Sequence, residues 1–177
     1  MKKITFSDLH AMAAAAKGCI DKIYLHWTAG TYDKPFDDYH INIDGEGNII
    51  STCDDLTEYK SHTWQRNGGA IGIALCCCYG AIAYPDGRVF YGEYPPTSKQ
   101  VEAMAKVVQV LCEDLGLSIN EYIVQTHAEV ASEDGYGVFD DDPDMRWDLL
   151  LLQDYDGTLK SGGSIIRGKA LWYSQLH

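Results

Sequence analysis

Two apolar segments run into a histidine: Ile23-Tyr24-Leu25-His26 and Ile123-Val124-Gln125-Thr126-His127. Positions where a strand gives way to a loop are where active sites are commonly built, and imidazole is the commonest metal ligand. A catalytic zinc site takes three protein ligands and keeps one position open. A carboxylate can be the third ligand, and the loop after His127 offers Asp134, Asp140, Asp141, Asp142 and Asp144. The same cluster also suits a solvated loop or a calcium site. His40 and His62 are rival imidazoles, while His10 and His177 sit near the chain ends. Taken alone, His26 reads more readily as a core histidine. The second strand-end histidine is what raises the metal reading.

The elements that must position these groups follow from periodicity. Lys22–Trp27 reads as a buried strand, and residues 28–38 as a loop rich in turn formers. Tyr39, Ile41 and Ile43 alternate with His40, Asn42 and Asp44. The segment DGEGN then makes a hairpin turn, and residues 49–52 return. The run AIGIALCCC has strand length and continuous apolar character, as a central strand covered on both faces would. Residues 84–96 form a loop or hairpin. Thr97 and Gln100 make a capping box for a helix that Gly116 ends. The N-terminal alanine run predicts a helix capped by Ser7 or Asp8 and stopped by Gly18, and MRWDLLLLQ predicts a short final helix. The tail from Asp154 carries an apolar cluster, Ile165 to Trp172, without an assigned element. This order predicts an α/β fold, a single domain with a central mixed β-sheet flanked by helices.

Composition excludes several functions. The chain has 177 residues, 14 basic against 26 acidic, and a net charge of -12, which argues against nucleic acid as a partner because phosphate binding needs a basic surface. No run has the length of a membrane span, so no membrane insertion is expected. Asp8 and His10 interrupt the N-terminal apolar run, so synthesis in the cytoplasm without a signal peptide is expected. The six cysteines, Cys19, Cys53, Cys76, Cys77, Cys78 and Cys112, form no CxxC pair and fit a reducing compartment.

The segments LHWTAG, YHINIDGEGNI, SHTWQRNGGAIGIAL, QTHAEV and DDPDMRWDLL follow one another in an order that resembles the zinc-dependent N-acetylmuramoyl-L-alanine amidases. That family includes phage lysozyme-type amidases, bacterial muropeptide amidases and animal peptidoglycan-recognition proteins. The resemblance runs from about Cys19 to Leu152. It implies Zn2+ as cofactor and peptidoglycan or a muropeptide as substrate, cut between the lactyl group of N-acetylmuramic acid and L-alanine. It implies His26, His127 and Asp142 as metal ligands, Asp142 because it precedes Pro143 ahead of Trp147-Asp148; Asp141 or Asp144 takes that role if the register shifts. Tyr39 matches a tyrosine that some members use beside the metal. His62, Trp64 and Asn67 match a substrate-groove stretch. Asp140 stands where many members carry a basic or hydroxyl residue, and Glu129 is a substitute acid or base. The implied setting is a phage or prophage endolysin acting on the cell wall after release. The alternatives are a cytoplasmic recycling amidase, a peptidase cutting within the stem peptide, or a peptidoglycan-binding module without catalysis.

Overall fold

The computed structural model describes residues 1–176, so the candidate His177 lies outside the described residues. Ten strands and four helices follow in the order β1 (Lys2–Ile4), α1 (Phe6–Ala16), β2 (Lys22–Trp27), β3 (Ile41–Ile43), β4 (Ile49–Ser51), β5 (Ala70–Leu75), β6 (Ile82–Ala83), β7 (Val89–Phe90), α2 (Ser98–Leu115), β8 (Val124–Thr126), α3 (His127–Asp134), β9 (Leu151–Gln153), β10 (Leu159–Ser161) and α4 (Gly162–Ser174). Six strands form one mixed sheet, ordered β1-β4-β3-β5-β2-β8. Strand β5 is central and buried along its whole length, as its unbroken apolar run predicts. β2 lies parallel to β5 and β8, and the β3–β4 hairpin is antiparallel.

Strand alternation sorts the sheet into two chemically different faces. Ile23, Leu25 and Trp27 of β2, Ile71, Ile73 and Leu75 of β5, and Ile41 and Ile43 of β3 enter the main core. That face is covered by α1, α2 and α4, with α2 packed against both other helices. The opposite face carries Tyr24 and His26 of β2, paired in register with Gly72 and Ala74 of β5. Small residues at those two β5 positions leave room above the sheet for imidazole rings. A Cβ on Gly72 would lie 2.7 Å from two ring atoms of His62, so glycine there admits that ring.

Several elements differ from the sequence reading. Thr5, not Ser7 or Asp8, caps α1, with Asp8 as its capping-box partner, and the preceding residues form edge strand β1. Thr97, Gln100 and Gly116 bound α2 as expected. The segment after His127 is helix α3 rather than loop, because Thr126 and Glu129 make a second capping box and Gly135 ends it in a left-handed conformation. The predicted helix over MRWDLLLLQ does not form. Leu149 takes φ +62°, which breaks any helix, and residues 151–153 become β9 of a hairpin instead. The unassigned tail is that hairpin's second strand followed by α4. No described helix is long and apolar enough to cross a membrane.

Candidate metal centre and substrate cavity

His26 and His127 meet on the face of small residues. Their Nδ1 atoms are 3.1 Å apart, and the carboxylate that joins them is Asp148, with Oδ2 3.1 Å from His26 Nδ1 and Oδ1 3.2 Å from His127 Nδ1. All three residues are buried, and they form the group able to hold a metal ion among the described residues. The expected third partner, Asp142, is not in this group. It lies half-buried at the rim, where Oδ1 accepts the Asp144 N–H at 2.8 Å, and Asp141 takes φ +56° in the same exposed turn.

Each member is fixed by its element. His26 sits one residue from the end of β2, beside Ala74. His127 is the first residue of α3, so the helix start orients its ring. Asp148 is held from three sides. Its carbonyl accepts the Ala128 N–H at 3.2 Å, a donor that the first turn of α3 leaves unpaired. Trp147 packs edge-on against Trp27 at 4.8 Å, and the Gly162 N–H bonds Leu150 O at 3.1 Å.

The donor set fits a zinc ion. Zn–N and Zn–O distances of about 2.0–2.2 Å put tetrahedral ligand atoms about 3.3–3.6 Å apart, close to the observed triangle. Two Nδ1 atoms and a carboxylate directed at one point need a cation or a shared proton to coexist. Burial pushes His26 down to about 4 against the pull of Asp148, which keeps its imidazole neutral and able to ligate. Burial acts to raise the Asp148 carboxyl, but its contacts with His127 and His26 outweigh this and hold it below the usual carboxylate range.

A relay of hydrogen bonds leads away from His26. Its Nε2 is 3.2 Å from Thr63 Oγ1, which is 2.9 Å from His62 Nδ1. With His26 Nδ1 turned to the metal position, His26 Nε2–H donates to Thr63, and the Thr63 hydroxyl donates to His62 Nδ1. His62 Nε2 then carries the proton. Burial and the neighbouring imidazoles push His62 down to about 2, so it stays neutral. His40 is no rival ligand: its Nδ1 accepts the Gly72 N–H at 3.0 Å and its Nε2 donates to Glu58 O at 2.6 Å. His10 is distant in the fold, paired with Asp114.

Beside the centre opens a cavity of about 800 Å³ lined by His62, Trp64, Asn67, His127, Tyr136 and Arg146, among others. His62, Trp64 and Asn67 therefore line one cavity. Asn67 also shapes the loop, its Oδ1 accepting from the N–H groups of His62 and Thr63 at 3.1 and 2.8 Å. Tyr39 stands next to the centre with its ring 5.0 Å from His26, and burial, reinforced by Asp148, raises its hydroxyl well above the ordinary value. It remains a donor at neutral pH.

Two expected catalytic residues are placed elsewhere. The Asp140 carboxylate is exposed and accepts the Gly137 N–H at 2.7 Å, closing a turn. Glu129 faces α4, where Arg167 Nη1 and Nη2 grip it at 2.8 and 2.9 Å, while Oε1 also accepts the Thr126 N–H at 2.9 Å. Sequence reading missed Thr63, Tyr136, Arg146 and Asp148. Asp148 had a signal, as the acidic member of the Trp147-Asp148 pair, and with Asp148 as the third partner the position read as Asp140 moves to Arg146.

No curated protein sequence matches the chain. Among solved structures it is similar to the endolysin N-acetylmuramoyl-L-alanine amidase LysCS of Clostridium intestinale, at 19% identity and TM-score 0.46, covering 63% of this chain and 71% of that one. It is also similar to the Apis mellifera peptidoglycan recognition protein SA, at 17% identity and TM-score 0.43, covering 62% and 72%. The Ph2119 endolysin of a Thermus scotoductus bacteriophage matches at 16% identity and TM-score 0.38, covering 62% and 72%. Residues 14–143 match the N-acetylmuramoyl-L-alanine amidase family model, a span that contains His26 and His127 and most of the chain, so the protein belongs to that family.

Proposed function

We propose that the protein hydrolyses the amide between N-acetylmuramic acid and L-alanine in peptidoglycan, with a zinc ion held by His26, His127 and Asp148. The observation that carries this reading is the buried triangle of two Nδ1 atoms and one carboxylate at the edge of an open cavity. Zinc bound there supplies Lewis-acid polarisation of the amide carbonyl and of the attacking water at neutral pH.

The chain's own residues do the rest. Tyr39, protonated and beside His26, donates a hydrogen bond to the oxygen on which negative charge develops. Thr63 holds His26 in the tautomer that leaves Nδ1 free of its proton. The sugar and peptide lie in the cavity, where Trp64 packs edge-on against Tyr136 at 5.9 Å to form an aromatic wall. Asp140 and Glu129 stabilise local structure and carry no proton in the reaction.

The cavity opens to the surface beside Tyr59 and Trp64, which are 67% and 62% exposed. That access suits a polymer-attached substrate and supports an endolysin role, acting on intact wall. Mass spectrometry of digested sacculi tests the reaction. The expected products are stem peptides with a new L-alanine amino terminus and glycan with intact lactyl carboxyls. Products cut within the peptide overturn the reading.

A further inference from the structure

We propose that the groove between α4 and the β9–β10 hairpin is a second carbohydrate site, which holds a neutral strand of β-linked N-acetylhexosamines; the choice of a wall glycan rests on the amidase reading. The groove lies on the helical side of the sheet, away from the face that carries His26. A cavity of about 580 Å³ there is lined by Glu102 of α2, by Asp154, Tyr155 and Lys160 of the hairpin, and by Lys169 and Trp172 of α4, among others. A second hollow of about 430 Å³ adjoins it and runs past Tyr155 towards Tyr91 and Pro95. The hairpin and α4 both follow residue 143, where the match to the family model ends.

Three observations define the ligand. First, the walls are aromatic and held in place. Trp172 is 57% exposed and Tyr155 92%. Trp172 stands edge-on to Tyr173 at 5.1 Å. Tyr173 is fixed in turn by its hydroxyl, which donates to Glu102, and by the Lys106 ammonium 5.2 Å from its ring centre. The apolar C–H face of a pyranose lies flat on such rings, and their polar tips, an indole N–H and a phenol, reach its hydroxyl and acetamido groups. Second, the lining charges cancel. Lys169 Nζ donates to Glu102 Oε1 and Lys160 Nζ to Asp154 Oδ2, each at 2.6 Å. No lining ammonium is left for a phosphate or carboxylate, and a net charge of -12 repels polyanions. Third, Gly168 lines the cavity from within α4, where a glycine weakens the helix. A Cβ there would meet no protein atom within 4 Å, so internal packing does not require the glycine; its effect is to keep the floor open.

Shape decides between a sugar and a protein partner. A stable protein interface needs about 1,200 Å² of matched surface, whereas this is a concave site within the range of about 300–1,000 Å³ that suits small ligands. The proposed substrate is a polymer that presents the same sugar many times. A chain that holds one stretch of glycan at α4 keeps further stretches at high local concentration for the metal centre, so each contact can be weak.

Two-dimensional NMR of the isotope-labelled, metal-free chain tests this without turnover. The probes are a soluble oligomer of β-linked N-acetylglucosamine and, as control, an oligomer of α-linked glucose. The first should shift the Trp172 indole N–H and the Gly168 amide saturably at millimolar concentration, and the control should not. Trp172→Ala should weaken this binding at least about tenfold, read at the Tyr155 amide. Gly168→Leu should do the same by filling the floor, and it replaces a weak helix former with a strong one, so folding is not at risk. Absent shifts, equal response to both sugars, or wild-type affinity in Gly168→Leu overturns the proposal. So does movement of these resonances on dilution without sugar, which would show a second copy of the chain covering the groove. Mass spectrometry of sacculi digested by the zinc-loaded chain reads the reaction separately. Sugar binding at α4 without amide cleavage defeats the amidase reading and leaves this site standing, and cleavage without binding does the reverse.

Discussion

The grip of α4 on α3 sets up a quantitative prediction. Arg167→Met removes two hydrogen bonds to Glu129, at 2.8 and 2.9 Å, and one to Val124 O at 2.9 Å. The ion pair is largely buried, with side-chain exposures of 12% for Arg167 and 29% for Glu129. Breaking a fully buried pair costs about 3–5 kcal/mol and an exposed one under about 1 kcal/mol, so this intermediate pair should cost about 2–3 kcal/mol. For a domain of this size that lowers Tm by about 4–12 °C. Glu129→Gln should cost less, because a glutamine oxygen still accepts the Thr126 N–H. The double mutant should then reveal a coupling energy of about 1–2 kcal/mol. Thermal unfolding of the four metal-free proteins by circular dichroism gives that number, and zinc titration of Arg167→Met should show affinity weakened about tenfold through the misplaced His127. Zero coupling with unchanged Tm would refute the clamp. An activity loss of orders of magnitude in Glu129→Gln with undiminished stability would make Glu129 a catalytic acid or base after all.

Three further outcomes follow from the site. Burial holds His40 and His62 below the usual imidazole range. The unfolded chain therefore takes up more protons below pH ~6.5, and the metal-free protein should lose stability as pH falls from about 6.5 to 5, with His62 alone, pushed down to about 2, contributing up to ~1.4 kcal/mol per pH unit; urea melts showing flat or rising stability over that window contradict this. Tyr39→Phe should keep fold and zinc while slowing turnover by roughly 10- to 1000-fold, and unchanged kinetics would leave Tyr39 with a packing role only. Gly72→Ala should displace the His62 ring, since the added Cβ meets it at 2.7 Å; the variant should retain zinc but bind muropeptide more weakly in calorimetry, and undiminished binding would remove His62 from the cavity's working wall.

Legibility in the sequence followed locality. β2 and β5 were readable because their apolar runs are continuous, and α2 because Thr97, Gln100 and Gly116 mark both ends. The strand-end histidines were readable for the same reason. Helix α3 carried a signal in Thr126-x-x-Glu129, but eight residues with weak apolar periodicity do not stand out. Asp148 was not readable as the carboxylate partner because its position depends on how residues 135–148 fold back. That return is fixed by Arg146 N–H on Tyr136 O, by Ala128 N–H on Asp148 O and by the left-handed Leu149, none of which leaves a pattern in the sequence. The four leucines of MRWDLLLLQ imitate a helix, whereas the Gly162-Gly163 pair hides the start of a real one. Those glycines are set by close approach: a Cβ on Gly162 would fall 2.0 Å from Leu149 O, and one on Gly163 2.2 Å from Glu129 Oε1.

The most direct measurement is zinc stoichiometry after dialysis, by elemental mass spectrometry, for the wild type, Asp148→Asn and Asp142→Asn, with circular dichroism to verify folding. The geometry predicts one zinc per chain in the wild type and in Asp142→Asn, and little in Asp148→Asn, because only the Asp148 carboxylate reaches both Nδ1 atoms. Full zinc in folded Asp148→Asn together with its loss in Asp142→Asn would contradict the account and move the metal to the cavity rim.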